Sequence, residues 1–247
     1  MRPRRFFAAE AAPGKWLALS PSEAHHLREV LRLKEGAEIE IVNGRGEVYP
    51  ARVIRIQKDE VRVHLLGPGR REPPPAYRLE ILLPLLKGGR TEFLVEKAVE
   101  LGVTTIRVFY GRYGARKPGE RIGSRLRERA VQALKQCGRL WLPEIYPPVP
   151  LSEALEEARA PDRFFAYERG GEPLSRAFTP FSRDLALVVG PEGGFAPEEE
   201  KLLKEKGFRP LTLGPYILRA ETACLFLMSV WRYHTLLDAA ASPSGLE

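Results

Sequence analysis

The 247-residue chain is poor in the residues on which several chemistries depend. Its two cysteines, Cys137 and Cys224, lie far apart and in no C-x-x-C pair. That argues against a thiolate zinc centre or a disulfide framework and fits a reducing, cytoplasmic setting. Of four histidines, His25 and His26 are adjacent, so only one of the two can face a core; they read as ordinary core or surface histidines, and no metal site is expected. No apolar run reaches the length of a membrane span, and no signal-type apolar segment follows the basic start. Neither G-x-x-x-x-G-K-[ST] nor G-x-G-x-x-G occurs, and Lys87-Gly88-Gly89-Arg90-Thr91 has the wrong order for a Walker lysine. A dedicated triphosphate cradle or dinucleotide fingerprint is therefore excluded. Asparagine occurs once, at Asn43, while there are 22 prolines and 29 of the 39 basic residues are arginine. This bias reads as heat adaptation or, equally, as a GC-rich genome.

Arginine is what the chain has in excess, and it is unevenly placed. The net charge of +7 divides into +4 over residues 1–70, +8 over 71–140 and −5 over 141–247. A basic front on an acidic back suggests a polyanion bound on one side, with nucleic acid the first candidate and a solvated Arg-rich surface the plain alternative.

The pattern predicts a small β-rich domain over residues 1–70 and an α/β domain over 71–247. In the first, Arg4–Ala8 and Trp16–Leu19 are short strands. Ser20-Pro21-Ser22-Glu23 is a capping box that starts a helix running to about Leu33, with Leu27, Val30 and Leu31 on its apolar face. Glu38–Val42, Tyr49–Ile56 and Val61–Leu66 return as strands around an Asn43-Gly44 turn. Glycines and prolines between Gly67 and Pro75 mark a linker. Beyond it, apolar runs at Leu79–Leu86, Thr104–Tyr110, Arg163–Tyr167, Leu185–Val189 and Pro210–Leu213 alternate with helical periods at Thr91–Leu101, 120–136, Ser152–Arg159, Pro197–Lys206 and Ala220–Ala239.

The last third holds the densest signal. Strand Leu185–Val189 runs into Gly190-Pro191-Glu192-Gly193-Gly194-Phe195, and strand Pro210–Leu213 runs into Gly214. Glycine lets a backbone approach a ligand or turn through positive φ, and loops at the carboxyl ends of strands in an open α/β sheet are the default ligand site. The two loops either form one bipartite pocket, reading its ligand through backbone groups and apolar walls, or are ordinary βα turns.

The stretches GPEGGF (190–195), LGPYILRAETA (213–223), KAVELGV (97–103), QCGR (136–139) and HHLREVLR (25–32) resemble the bacterial RsmE family over most of the chain. Its members are 16S ribosomal RNA (uracil-N3)-methyltransferases of the SPOUT superfamily. The resemblance implies a SPOUT-type knotted α/β methyltransferase domain, closed by a C-terminal trefoil knot and preceded by a small PUA-like β-barrel. It also implies an S-adenosyl-L-methionine cofactor, a homodimer, and 16S ribosomal RNA of the small subunit as partner, with no membrane involved. Val189, Gly190, Glu192 and Gly193 are expected to form one wall of the cofactor site. Leu213, Gly214, Ile217 and Leu218 are expected to form the other, and Ala166, Tyr167 and Glu168 a third by position; Leu213, Ile217 and Leu218 have plain core packing as their alternative. Arg219, just after the cofactor loop, is the candidate catalytic residue, with an ordering pair to Glu221 as its alternative. Arg4, Arg5, Arg112, Arg116, Arg121 and Arg125 are candidates to hold RNA phosphates. Two rivals stand beside this reading: a SPOUT enzyme of transfer RNA, and a non-catalytic ribosome-assembly RNA-binding protein.

Overall fold

A computed structural model describes residues 4–114, 118–178, 182 and 184–241. Two compact units divide the chain. One takes everything up to Pro74 together with Val131–Leu142; the other takes Pro75–Ala130 and the chain from Pro143 onward. The cut differs from the expected 1–70 and 71–247 in that a distant segment, 131–142, joins the first unit.

The first unit contains β1 (Arg5–Phe7), β2 (Trp16–Ala18), α1 (Pro21–His25), β3 (Glu38–Val42), β4 (Glu47–Ile56), β5 (Val61–Leu65) and β6 (Arg70–Arg71). Its sheet runs β1-β3-β4-β5-β2, with β6 added on β4. Strict alternation sends Phe6, Leu17, Ile39, Ile41, Tyr49, Val53, Val61, Val63 and Leu65 into one core. The sole asparagine closes the β3–β4 hairpin. Asn43 is buried, its side-chain oxygen accepts from the backbone of Arg45 (2.8 Å) and Glu47 (3.2 Å), and its amide donates to Glu47 Oε2 (2.7 Å). An Asx side chain satisfying its own turn is why this position holds asparagine.

Three expectations are corrected here. Only half of the capping box forms: Glu23 N donates to Ser20 Oγ at 3.4 Å, but the Glu23 carboxylate instead accepts from Lys135 Nζ (2.5 Å), both side chains being buried. Helix α1 passes into a wider π-helical turn at His26–Val30, which rotates Val30 out of the apolar face and leaves it 60% exposed while Leu27 stays buried. Part of the expected linker is strand, since Arg70 and Arg71 pair with Val48 and Glu47.

The second unit contains β7 (Arg78–Pro84), α2 (Arg90–Glu100), β8 (Thr105–Tyr110), α3 (Ile122–Cys137, whose last turns lie in the first unit), β9 (Glu144–Pro150), α4 (Leu151–Glu156), β10 (Asp162–Ala166), β11 (Glu172–Pro173), α5 (Leu174–Ala177), β12 (Asp184–Val188), α6 (Pro197–Glu205), β13 (Arg209–Thr212) and α7 (Ala220–Ala241). Seven strands form one parallel sheet, in the order β11-β13-β10-β12-β7-β8-β9. Helices α2 and α7 pack together and on β7, while α4 packs with α6 and on β8 and β9. Burial on both faces explains the nearly continuous apolar run of β7. In α7, Met228 and Trp231 turn into the core. Phe226, Tyr233, Leu236 and Leu237 remain exposed.

Candidate active site

Strand order builds the site. Because β10 lies between β13 and β12, the loops leaving the carboxyl ends of these three strands emerge side by side. They enclose a cleft of about 450 Å³. Ala166, Tyr167 and Glu168 come from the end of β10; Val189, Gly190, Glu192 and Gly193 from the end of β12; Leu213, Gly214, Ile217 and Leu218 from the end of β13. All eleven expected wall residues line this one space, and Arg219 lines it with them. Pro191, Gly194, Phe195, Tyr216, Ala220 and Ala223, which are not among the expected wall residues, also line it, although Gly194 is expected in the first loop. They lie within or beside the same two motifs.

The glycines of the first loop have separate reasons. Gly194 has φ of +69°, a left-handed conformation that a Cβ disfavours. A Cβ on Gly193 would fall 2.7 Å from Cβ of Tyr113, so the loop after β8 leaves no room for one. That loop is held to the glycine loop by a single carboxylate. Glu199 Oε1 accepts from the Arg112 backbone (2.9 Å), and Glu199 Oε2 accepts from Ala196 N (2.8 Å), capping α6. At the end of β10, Tyr167 OH donates to Glu200 Oε2 (2.8 Å), and this bond holds the phenol above its ordinary pKa.

Electrostatics at the rim centre on Arg90, at the start of α2. Its Nη1 donates to Glu192 Oε1 and, at 3.2 Å, to Glu221 Oε1, tying the glycine loop to the first turn of α7. The Arg90 hydrogen bond is the main reason that the Glu192 carboxyl sits below its ordinary value, with Arg219 adding a smaller attraction. Arg219 itself is exposed and, among the described residues, makes no ion pair; the carboxylate two positions on, Glu221, is taken by Arg90. The second oxygen of Glu221 is buried and has no hydrogen-bond partner among the described residues. Cys224 lies one turn further along α7, and burial pushes its thiol far up, which makes it an inert packing group.

The candidate phosphate-holding arginines do not behave alike. Arg4, Arg112 and Arg121 are exposed. Arg5 is largely buried and paired with Glu40, its cross-strand neighbour, at 2.7 Å. Arg125 is exposed but paired with Glu92. Arg116 lies outside the described residues. No cluster of metal-ligating side chains occurs among the described residues, and no helix of the described residues is long and apolar enough to cross a membrane.

Comparison with known proteins bears on the same two regions. The profile of a family described as "RNA methyltransferase PUA domain" matches residues 19–66. The "Ribosomal RNA small subunit methyltransferase E" of Aquifex aeolicus is 29% identical over 91% of this chain and 97% of its own. Among solved structures, a methyltransferase of Legionella pneumophila with its cofactor SAM bound is 30% identical, covers 95% of this chain and 98% of its own, and superposes with a TM-score of 0.87. The ribosomal RNA small subunit methyltransferase E of Neisseria gonorrhoeae, bound to S-adenosyl methionine, is 28% identical over 94% of this chain and 98% of its own, with a TM-score of 0.81. The description "RNA methyltransferase domain" goes with a profile that matches residues 72–232, most of the chain and the whole of the cleft, and the chain belongs to that family.

Proposed function

We propose that this chain transfers a methyl group from S-adenosylmethionine to N3 of a uridine in 16S ribosomal RNA. The observation that carries the reading is the convergence of three loops from adjacent parallel strands on one cleft, with an arginine at its rim that makes no ion pair among the described residues. A space of about 450 Å³ lies in the range of small-molecule sites. Its walls suit the cofactor: Val189, Leu213 and Leu218 offer apolar surface to an adenine, glycine backbone offers donors and acceptors, and the carboxylates of Glu168 and Glu192 suit a ligand with a positive sulfur and amino group. The names of the relatives support both cofactor and substrate class.

When bound, the cofactor supplies an electrophilic methyl group. The protein's part is to make the acceptor nucleophilic. Uracil N3–H is a weak acid, mostly protonated at neutral pH, and its anion spreads charge onto O2 and O4. Arg219, exposed at the rim and free of ion pairs among the described residues, can present a planar fork of donors to those oxygens. Arg90 keeps Glu221 from neutralising it. The target base must leave its stack to reach the cleft, so the substrate segment is single-stranded or flipped.

In this reading residues 1–70 grip RNA and 71–247 carry out transfer. The exposed Arg4, Arg112 and Arg121 hold phosphates first, and Arg125 and Arg116 are further candidates for the same role. A homodimer completes the site: Tyr216 and Ile217 line the cleft yet are 81% and 84% exposed, and the outward Phe226, Tyr233, Leu236 and Leu237 of α7 want a cover. The segment from β13 to α7 closes the site as a trefoil knot, and the enzyme works on the small ribosomal subunit in the cytoplasm. The test is to incubate the protein and cofactor with unmodified small subunits, with naked ribosomal RNA and with transfer RNA, then map products by mass spectrometry. One N3-methyluridine in 16S ribosomal RNA is the expected outcome. A ribose methyl in transfer RNA, or no product from any substrate, would overturn it.

A further inference from the structure

Outside the cleft, the first unit carries an aromatic residue that its fold does not use. Trp16 lies in β2 between Lys15 and the core residue Leu17, and its side chain is 59% exposed. Sheet register explains where it points. Trp16 stands opposite His64 on β5, His64 opposite Arg52 on β4, and Arg52 opposite Glu38 on β3. Their strand neighbours Leu17, Val63, Ala51, Val53 and Ile39 are all buried, so alternation places this row of four on the outward face. The indole stacks on the His64 ring, with centroids 4.5 Å apart and planes within 24°. One indole face is thus backed and set in orientation, and the other is open.

The surroundings fix the kind of partner. Arg62, paired across the ladder with Ala18, and Arg52 are both half exposed on this outward surface. Among the described residues their ion pairs are with Glu60 (2.7 Å), which is partly exposed, and Glu38 (3.2 Å), which is exposed; solvent-accessible carboxylates of this kind hold an arginine weakly in water, and a phosphate can displace them. A flat aromatic face flanked by cations is the arrangement that binds single-stranded nucleic acid, where bases stack on rings and the backbone tracks positive charge. A duplex hides its base faces. A second protein copy needs a broad apolar contact, which a lone tryptophan among charged neighbours does not provide.

We propose that Trp16, backed by His64, is a stacking platform for one unpaired base of the RNA, with Arg52 and Arg62 on the adjoining phosphates. The proposal rests on RNA being the partner and assigns it a site apart from the methyl-transfer cleft. The test uses the full-length chain, a labelled single-stranded RNA oligonucleotide and a duplex of the same length, with anisotropy at one fixed salt concentration. Trp16→Ala should weaken single-strand binding by about five- to 150-fold, the range for loss of one stacked base. Trp16→Phe should keep most of the affinity, His64→Ala should lose part, and the duplex should respond little. Trp231 is buried and Trp141 half-buried, so quenching of intrinsic fluorescence by the single strand should vanish in Trp16→Phe. S-adenosylhomocysteine affinity, measured on every variant, should stay unchanged and certifies folding. If single-strand affinity survives Trp16→Ala, if duplex and single strand lose equally, or if Trp16→Ala instead dissociates an oligomer, the platform is refuted while the methyltransferase reading stands. If the wild type binds no RNA but binds S-adenosylhomocysteine, the platform and the RNA substrate fall together.

Discussion

The parallel sheet has two ends, and each opens into a cleft of similar size. The carboxyl-end cleft measures about 450 Å³ and the amino-end one about 500 Å³. The amino end is the more highly charged, yet the charges of Arg107, Glu80 and Glu157 there are committed to one another. Arg107 donates Nε to Glu80 and Nη1 to the Glu157 carboxylate. Its Nη2 donates to the Glu157 carbonyl at 3.1 Å, and the guanidinium lies 4.0 Å over the Tyr146 ring. The second oxygen of Glu80 accepts from the Arg159 backbone at 3.1 Å. At the carboxyl end, Arg219 has no such partner among the described residues, and backbone and aliphatic groups make up most of the walls. Density of charge therefore does not locate the chemistry. A saturated arginine fastens strands β7, β8 and β9 to the chain after α4, while an unsaturated one is free to meet charge that appears during a reaction.

Breaking the saturated end should give the largest effect. Arg107 and Glu80 side chains are only 7% and 10% exposed, so Arg107→Ala strands a buried carboxylate and should cost about 3–5 kcal/mol of stability. Urea unfolding checks this. Replacing both partners with methionine should recover much of the loss, since an apolar pair leaves no orphan charge. If Arg107→Ala unfolds at the wild-type midpoint, the network is ornamental and the contrast between the two ends disappears.

The opposite pattern is expected at Arg219. Its removal should change stability by less than about 0.5 kcal/mol, as for an exposed side chain without a structural partner. The single-turnover rate of methyl transfer should fall by roughly 10²–10³, or about 2.7–4 kcal/mol, with S-adenosylhomocysteine affinity kept. The selectivity follows from where charge develops: the cofactor is already cationic in the ground state, and only the uracil becomes anionic on the way to transfer. Arg219→Lys should recover part of the rate, and higher pH should partly rescue Arg219→Ala by supplying uracil anion. Affinity and rate falling in proportion would make Arg219 a binding residue instead.

Ligand binding separates the two ends by another route. S-adenosylhomocysteine at 100 times its dissociation constant should stabilise the protein by about 2.7 kcal/mol. Arg219→Ala should show the same increment, and so should the methionine double variant at Arg107 and Glu80. A thermal scan that shows no shift with saturating ligand would remove the carboxyl-end cleft from consideration.

How much of this could be read from residues alone depends on the range of the interactions. Period and glycine placement are local, and they located the longer helices, the main strands and the two glycine-bearing loops, while the eleven cleft residues followed from the family resemblance of the motifs on those loops. Strand β9 was not legible because Pro147, Pro148 and Pro150 argue against a strand; it survives as an edge strand, bonded on one side only, where a missing N–H is tolerated. Val30 was misplaced because the switch from α- to π-type turn leaves no compositional mark. Arg5 looked like a phosphate ligand because its partner Glu40 is 35 positions away. Arg90 drew notice only as a failed phosphate motif, and its partners lie 102 and 131 positions downstream. Long-range pairing decides whether a charge is committed, and one sequence does not display it.

Arg90 and Glu192 stand between the two extremes, and the smallest predicted effect belongs to them. Glu192 is exposed, lines the cleft and has its carboxyl drawn below the ordinary 4.5, chiefly by the Arg90 hydrogen bond. A carboxyl whose folded value is depressed contributes stability above its unfolded value, and that contribution is lost as pH falls through the folded value. The pair should therefore matter fully at neutral pH and fade only below about 4.5. In Arg90→Ala, Glu192 should titrate closer to 4.5, which carboxyl-carbon NMR can follow directly. The stability gap between wild type and Arg90→Ala should close as pH drops through that window and should be absent in a Glu192→Gln, Glu221→Gln background. Arg90→Lys should fall between, because one ammonium cannot reproduce a planar donor shared by two carboxylates. Cofactor affinity should decline modestly in Arg90→Ala, since Arg90 joins the glycine loop to α7 without itself lining the cleft. An unchanged Glu192 titration in Arg90→Ala would mean that the pair does not hold in solution, and that the glycine loop owes its position to Glu199 and Tyr113 alone.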